Sequence, residues 1–118
     1  MQFVEDQVAD VTILTPQFTW LDASNVPQFK EAIQPHLAQR LRVIIDLTPV
    51  EFMDSSGLGA MLSVLKRVDA GNGELKLCGM SRKVRALFEL VRMHRIFEIY
   101  NDRQEAVKSF EGVMEASE

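Results

Sequence analysis

Apolar and polar positions alternate in short β-branched runs near the start of the chain, at Phe3 to Val4 and again from Val8 to Leu14. Period-two patterning of this kind predicts strands. Glu5, Asp6 and Gln7 lie between the runs and predict a turn, so two antiparallel strands are expected. Beyond Pro16 the period lengthens, and Val26, Phe29, Ile33 and Leu37 fall on one face of a helix. Asp22 or Ser24 is the expected cap, and Pro27 suits the first turn, where its missing N–H costs nothing. Pro35 lies inside the pattern, where it removes a hydrogen bond, so the helix is expected to kink or to end near Gln34.

Arg42 to Leu47 is a continuous β-branched run rather than an alternating one, the pattern of a central parallel strand covered on both faces. Leu58, Met61, Leu62, Leu65 and Val68 return to helical spacing, and Gly71-Asn72-Gly73 ends that helix with residues that tolerate positive φ. A strand is expected from Leu75 to Cys78. Ser81 then caps a helix whose Val84, Leu87, Phe88 and Val91 share a face, Ile96 to Tyr100 reads as a last strand, and Asp102 caps a closing helix through Val107 and Phe110. Strands alternating with helices imply an α/β fold, with right-handed crossovers and helices packed on a mostly parallel sheet.

The length of 118 residues, 47% of them hydrophobic, allows one compact domain spanning 1–118, with a frayed C-terminus from about 113 to 118. A net charge of −4 without a dense Lys/Arg run argues against a nucleic-acid partner. Cys78, the only cysteine, rules out an internal disulfide and fits a small buried hydrophobe in a reducing compartment. No apolar run approaches the roughly 20 residues of a membrane span, and the acidic start is unlike a signal peptide, so a cytoplasmic protein without membrane insertion is expected.

In open α/β sheets, sites form beyond the carboxyl ends of the strands, which here means the loop Thr48 to Gly57. Its sequence Asp54-Ser55-Ser56-Gly57 puts two hydroxyls at the start of a helix. On one reading Asp54, Ser55 or Ser56 merely caps that helix. On the other, one hydroxyl is exposed and accepts a phosphate, which free backbone N–H groups and the helix dipole would tolerate.

Val43-Ile44-Ile45-Asp46-Leu47 followed by Phe52-Met53-Asp54-Ser55-Ser56-Gly57-Leu58-Gly59 resembles the signature of STAS domains, specifically of the bacterial anti-sigma factor antagonists. The likeness extends over nearly the whole chain, including the Leu21-Asp22 step, Gly71-Asn72-Gly73-Glu74-Leu75 and the helix bearing Arg85-Ala86-Leu87-Phe88. It implies a STAS domain with a mixed, mostly parallel sheet of four to five strands and about four to five helices. It further implies a non-enzymatic switch. The dephosphorylated antagonist binds an anti-sigma factor that is also its serine kinase and so releases a sigma factor, and a PP2C-type phosphatase reverses the modification. The acceptor serine follows the aspartate, which makes Ser55 the first choice and Ser56 the second. Partner contacts are expected at Asp22, Ser24, Met53, Asp54, Ser56, Gly57 and Leu58. The chain departs from the family at Thr15 to Trp20, where a glycine usually precedes the Leu-Asp step. Trp20 and Phe18 there are either core residues or an aromatic anchor for a partner.

Other functions have less in their favour. Asp-Ser-Ser-Gly is not the G-x-S-x-G elbow of a serine hydrolase, and nothing in the spacing supplies a base. His36 and His94 lack metal-ligand spacing, and no cofactor motif is present. The alternative within the same fold is a STAS subunit of a transporter or signalling assembly that is never phosphorylated. Arg82, Lys83 and Arg85 form a small basic cluster, equally readable as a solvated helix face or a contact for an acidic partner.

Overall fold

The structure, a computed structural model, describes the backbone of residues 1–116 and the side chains of residues 1–111. The fraying expected from about 113 to 118 lies outside the fully described residues. Strands β1 (Phe3–Val8) and β2 (Val11–Pro16) form an antiparallel hairpin. Its turn lies between them, where Ala9 takes φ +55°, and not at Glu5–Gln7. Those polar residues belong to an edge strand, and each finds a partner: Glu5 binds His36 and Arg40, Asp6 binds Arg103, and Gln7 meets Thr12. Polarity on an edge strand protects the edge and does not require a turn.

A two-residue strand β3 (Trp20–Leu21) precedes helix α1 (Val26–Leu37). Phe29, Ile33 and Leu37 are the buried face of α1. Pro35 does not end it near Gln34: the helix runs on to Leu37, the proline is exposed in the last turn, and Ile33 and Leu37 on either side of it are buried. Strand β4 (Arg42–Asp46) follows, then the two-residue β5 (Phe52–Met53), helix α2 (Ser55–Ala70), β6 (Glu74–Cys78) and α3 (Arg82–Leu90). In α2 the buried face is Leu58, Met61, Val64 and Val68, with Leu62 and Leu65 only partly covered. Of the residues ending α2, Asn72 is the one with positive φ.

The last strand is shorter than expected. Met93–Arg95 form a 3₁₀ turn, β7 spans only Glu98–Tyr100, and Ile96 is exposed. Val91 is exposed too, because α3 ends at Leu90 and takes Val91 off its buried face. Helix α4 (Arg103–Ala116) closes the fold, with the Asp102 carboxylate accepting the Glu105 amide at 2.9 Å.

The main sheet is five-stranded in the order β1-β2-β4-β6-β7, with β2, β4, β6 and β7 parallel, and β3 and β5 make a separate parallel pair. Each crossover moves the same way along the sheet, so the right-handed rule puts α1, α2 and α3 on one face and leaves α4 to cover the other. The two buried clusters follow this division. Val43, Ile45, Leu75 and Leu77 pack with α1, α2 and α3, whereas Ile13, Ile44 and Cys78 pack with Ala106 and Phe110 of α4. β4 is therefore covered on both faces, as its unbroken apolar run requires.

Candidate functional site: the serine loop

The chain leaves the carboxyl end of β4 at Asp46 and reaches α2 at Ser55. Asp46 is 7% exposed and fully engaged. Its Oδ1 accepts the Thr48 amide at 3.1 Å and the Thr48 hydroxyl at 2.6 Å, and its Oδ2 accepts Arg103 Nε at 3.2 Å and Nη2 at 3.1 Å. Arg103 also donates to Asp6 at 3.2 Å and to Thr15 Oγ1 at 2.9 Å. Desolvation pulls the Arg103 pKa down, but hydrogen bonds to Asp6 and Asp46 prevail and raise it. Gly79 closes over this cluster at φ +75°; a Cβ there would lie 2.3 Å from Thr48 Oγ1 and 2.6 Å from Asp46 Oδ1. Beside it Cys78 is buried, and desolvation, helped by the Asp46 charge, pushes its thiol up to about 12.

From this root the loop runs to β5, which pairs with β3 so that Trp20 lies opposite Phe52 and Leu21 opposite Met53. The Glu51 amide donates to Thr19 O at 2.7 Å and the Asp54 amide to Leu21 O at 3.3 Å. The Asp22 turn and the serine loop are thereby brought side by side. Gly57 sits at their junction, where a Cβ would come within 2.5 Å of both Leu21 O and Met53 Cγ.

Asp54 is the cap of α2: its Oδ1 accepts the Gly57 amide at 3.0 Å and its carbonyl accepts the Leu58 amide at 3.0 Å. Ser55, the first residue of the helix, is exposed, while Ser56 is half-buried. Among the described residues neither hydroxyl has a hydrogen-bond partner, and the Ser55 and Ser56 amides have no acceptor. An uncommitted hydroxyl, two free N–H groups and the positive end of α2 meet at one point. Met53, Gly57 and Leu58 are buried. They shape the loop, and the accessible surface belongs to Asp54, Ser55 and Ser56.

Asp22 and Ser24 do not cap α1. The cap is Asn25, and it makes no side-chain bond into the helix. The Asp22 carboxylate folds back on the Ser24 amide and hydroxyl. Asn25, only 7% exposed, accepts the Asp22 amide at 2.9 Å and donates to Trp20 O at 2.8 Å. This buried asparagine fixes the turn, and its signal in the sequence is an Asx residue just before a helix. The aromatic pair divides. Phe18 packs edge-on against Phe3 and Phe29, whereas Trp20 is 46% exposed beside an equally open Phe52 at 53%. Phe52 stands within the STAS-like signature, but its exposure was not legible in the sequence, because it follows from pairing in a strand only two residues long.

A sequence model of the STAS domain matches residues 3–106, and the chain belongs to the STAS family, on its anti-sigma factor antagonist branch. The anti-sigma-B factor antagonist of Listeria monocytogenes is 38% identical over 82 residues, which cover 69% of this chain and 72% of that protein. A crystal structure of a candidate anti-sigma factor antagonist from Thermotoga maritima superposes with a TM-score of 0.83 at 29% identity, over 91% of this chain and 92% of that one. The Bacillus cell fate determinant SpoIIAA in its phosphorylated form shares the fold, with a TM-score of 0.63 at 22% identity over 92% and 99% of the two chains.

Proposed function

We propose that this protein is an anti-sigma factor antagonist whose docking is controlled by phosphorylation of Ser55. The observation that carries this reading is the state of Ser55 itself, an exposed hydroxyl without a partner at the first position of α2, directly after the capping Asp54. Ser56, half-buried one position on, is the weaker acceptor. A phosphate at Ser55 adds about −1.5 to −2 charge. The open amides and helix dipole accommodate that charge in the free protein. At an interface the same group has to be desolvated beside Asp54, and a penalty of about 3 to 4 kcal/mol lowers affinity a few-hundred-fold. The dephosphorylated protein binds an anti-sigma factor with serine kinase activity and so frees the sigma factor; a PP2C-type phosphatase resets it. Asp22, Ser24, Asp54 and Ser56 line the docking surface, with Trp20 and Phe52 as its aromatic anchors. The setting is the cytoplasm, and the role is binding rather than catalysis.

Three immobilised baits test this: the wild type, Ser55→Ala, and Ser55→Asp as a partial phosphate mimic. A serine kinase of the anti-sigma type retained by the first two and lost from the third is the expected result. Equal retention on all three, or a transporter assembly in place of the kinase, favours an unphosphorylated scaffold instead.

A further inference from the structure

We propose that the end of α3 and the 3₁₀ turn after it form a second docking surface, which takes an acidic protein segment bearing apolar side chains. Three aliphatic residues stand in solvent within seven positions: Leu90 is 80% exposed, Val91 49% and Ile96 55%. Two cations stand among them, Arg92 and Arg95, and among the described residues neither forms an ion pair, whereas the neighbouring acid Glu89 is paired with Arg85 at 3.7 Å. Aliphatic side chains beside unpaired cations match an acidic, partly apolar partner.

The backbone adds a separate observation. Arg92 follows the end of α3 at φ +61°, a left-handed conformation that glycine adopts freely and an arginine adopts only under strain. Ala9, Gln39 and Asn72 take the same conformation at other turns of this chain; at Arg92 it places a cation between Val91 and the 3₁₀ turn.

Screening selects the occupant. At physiological salt a charge senses its surroundings over about 8 Å. A short acidic segment therefore reads the local cations Arg92 and Arg95 and not the net −4 of the whole molecule, which would otherwise repel it. The surface does not depend on the phosphoserine reading. α3 starts at the carboxyl edge of the sheet and runs back against the strands, so its far end is directed away from the edge that bears Ser55.

The test uses the full chain and a fluorescein-labelled synthetic peptide of alternating Glu and Leu pairs, with a Gln-for-Glu counterpart, followed by fluorescence anisotropy at low salt. The Glu peptide should bind the wild type, and the Gln peptide, Arg92→Glu and Leu90→Ser should each weaken binding about tenfold. Arg92→Gly should weaken binding while its melting temperature holds or rises, which separates lost recognition from lost folding. Equal binding by wild type and variants overturns the proposal. So does preferential binding to phosphatidylglycerol vesicles, or self-association abolished by Arg92→Glu, which would make the occupant a membrane or a second copy.

Discussion

Gly57 shows how a single missing methyl shapes the site. A Cβ at this position would come within 2.5 Å of the Leu21 carbonyl, which is backbone and cannot turn aside. Gly57→Ala is expected to cost about 1–3 kcal/mol by overpacking and to push the Asp22 turn away from the serine loop. Urea denaturation measures the first effect, and amide shifts at Asp22 and Ser55 report the second. Cys78 provides a test by pH. Its thiol is raised from an ordinary 9.0 to about 12, so the folded state keeps a proton that the unfolded chain releases. The associated stability is complete below pH 9.0 and is lost as pH climbs toward 12. The stability advantage of the wild type over Cys78→Ala should therefore shrink above pH 9.0, and native Cys78 should resist thiol reagents that label it rapidly in denaturant.

Among the elements, α1 keeps a proline in its last turn and still reaches Leu37. Pro35→Ala restores a backbone donor at an exposed position, and a gain of about 1–2 kcal/mol in thermal or urea unfolding is expected after allowing for the looser unfolded chain. The same helix marks the limit of reading elements from pattern. Its face at Phe29, Ile33 and Leu37 was legible because burial alone sets a helical period, and β4 was legible because a strand covered twice cannot alternate. The hairpin turn was not, because Glu5, Asp6 and Gln7 take partners from α1, α4 and β2, residues distant in sequence or across the hairpin. The serine loop could be found from Asp54-Ser55-Ser56-Gly57, and Asn25 had a local signal as an Asx residue just before a helix, but the exposure of Phe52 had none. Phe52 owes its place to the pairing of β3 with β5, a contact between segments some thirty residues apart that no local period records.

At the scale of the whole molecule, Arg103 joins β1, β2 and β4 to α4 through Asp6, Thr15 and Asp46. Arg103→Gln leaves the nearly buried Asp46 without its cation, at an expected cost of about 1–3 kcal/mol. Faster amide exchange at Thr48 and along α4 should accompany it, whereas an unchanged exchange profile would mean that the loop root is held by Thr48 and Gly79 alone. The strand order carries another consequence. In β1-β2-β4-β6-β7 every new strand is laid on the edge left by the one before, and none has to be threaded between strands already paired. A ribosome delivers the strands in that same order. Each growing edge can serve as template for the next segment to emerge, until Arg103 ties the finished sheet back to the strand with which synthesis of the sheet began.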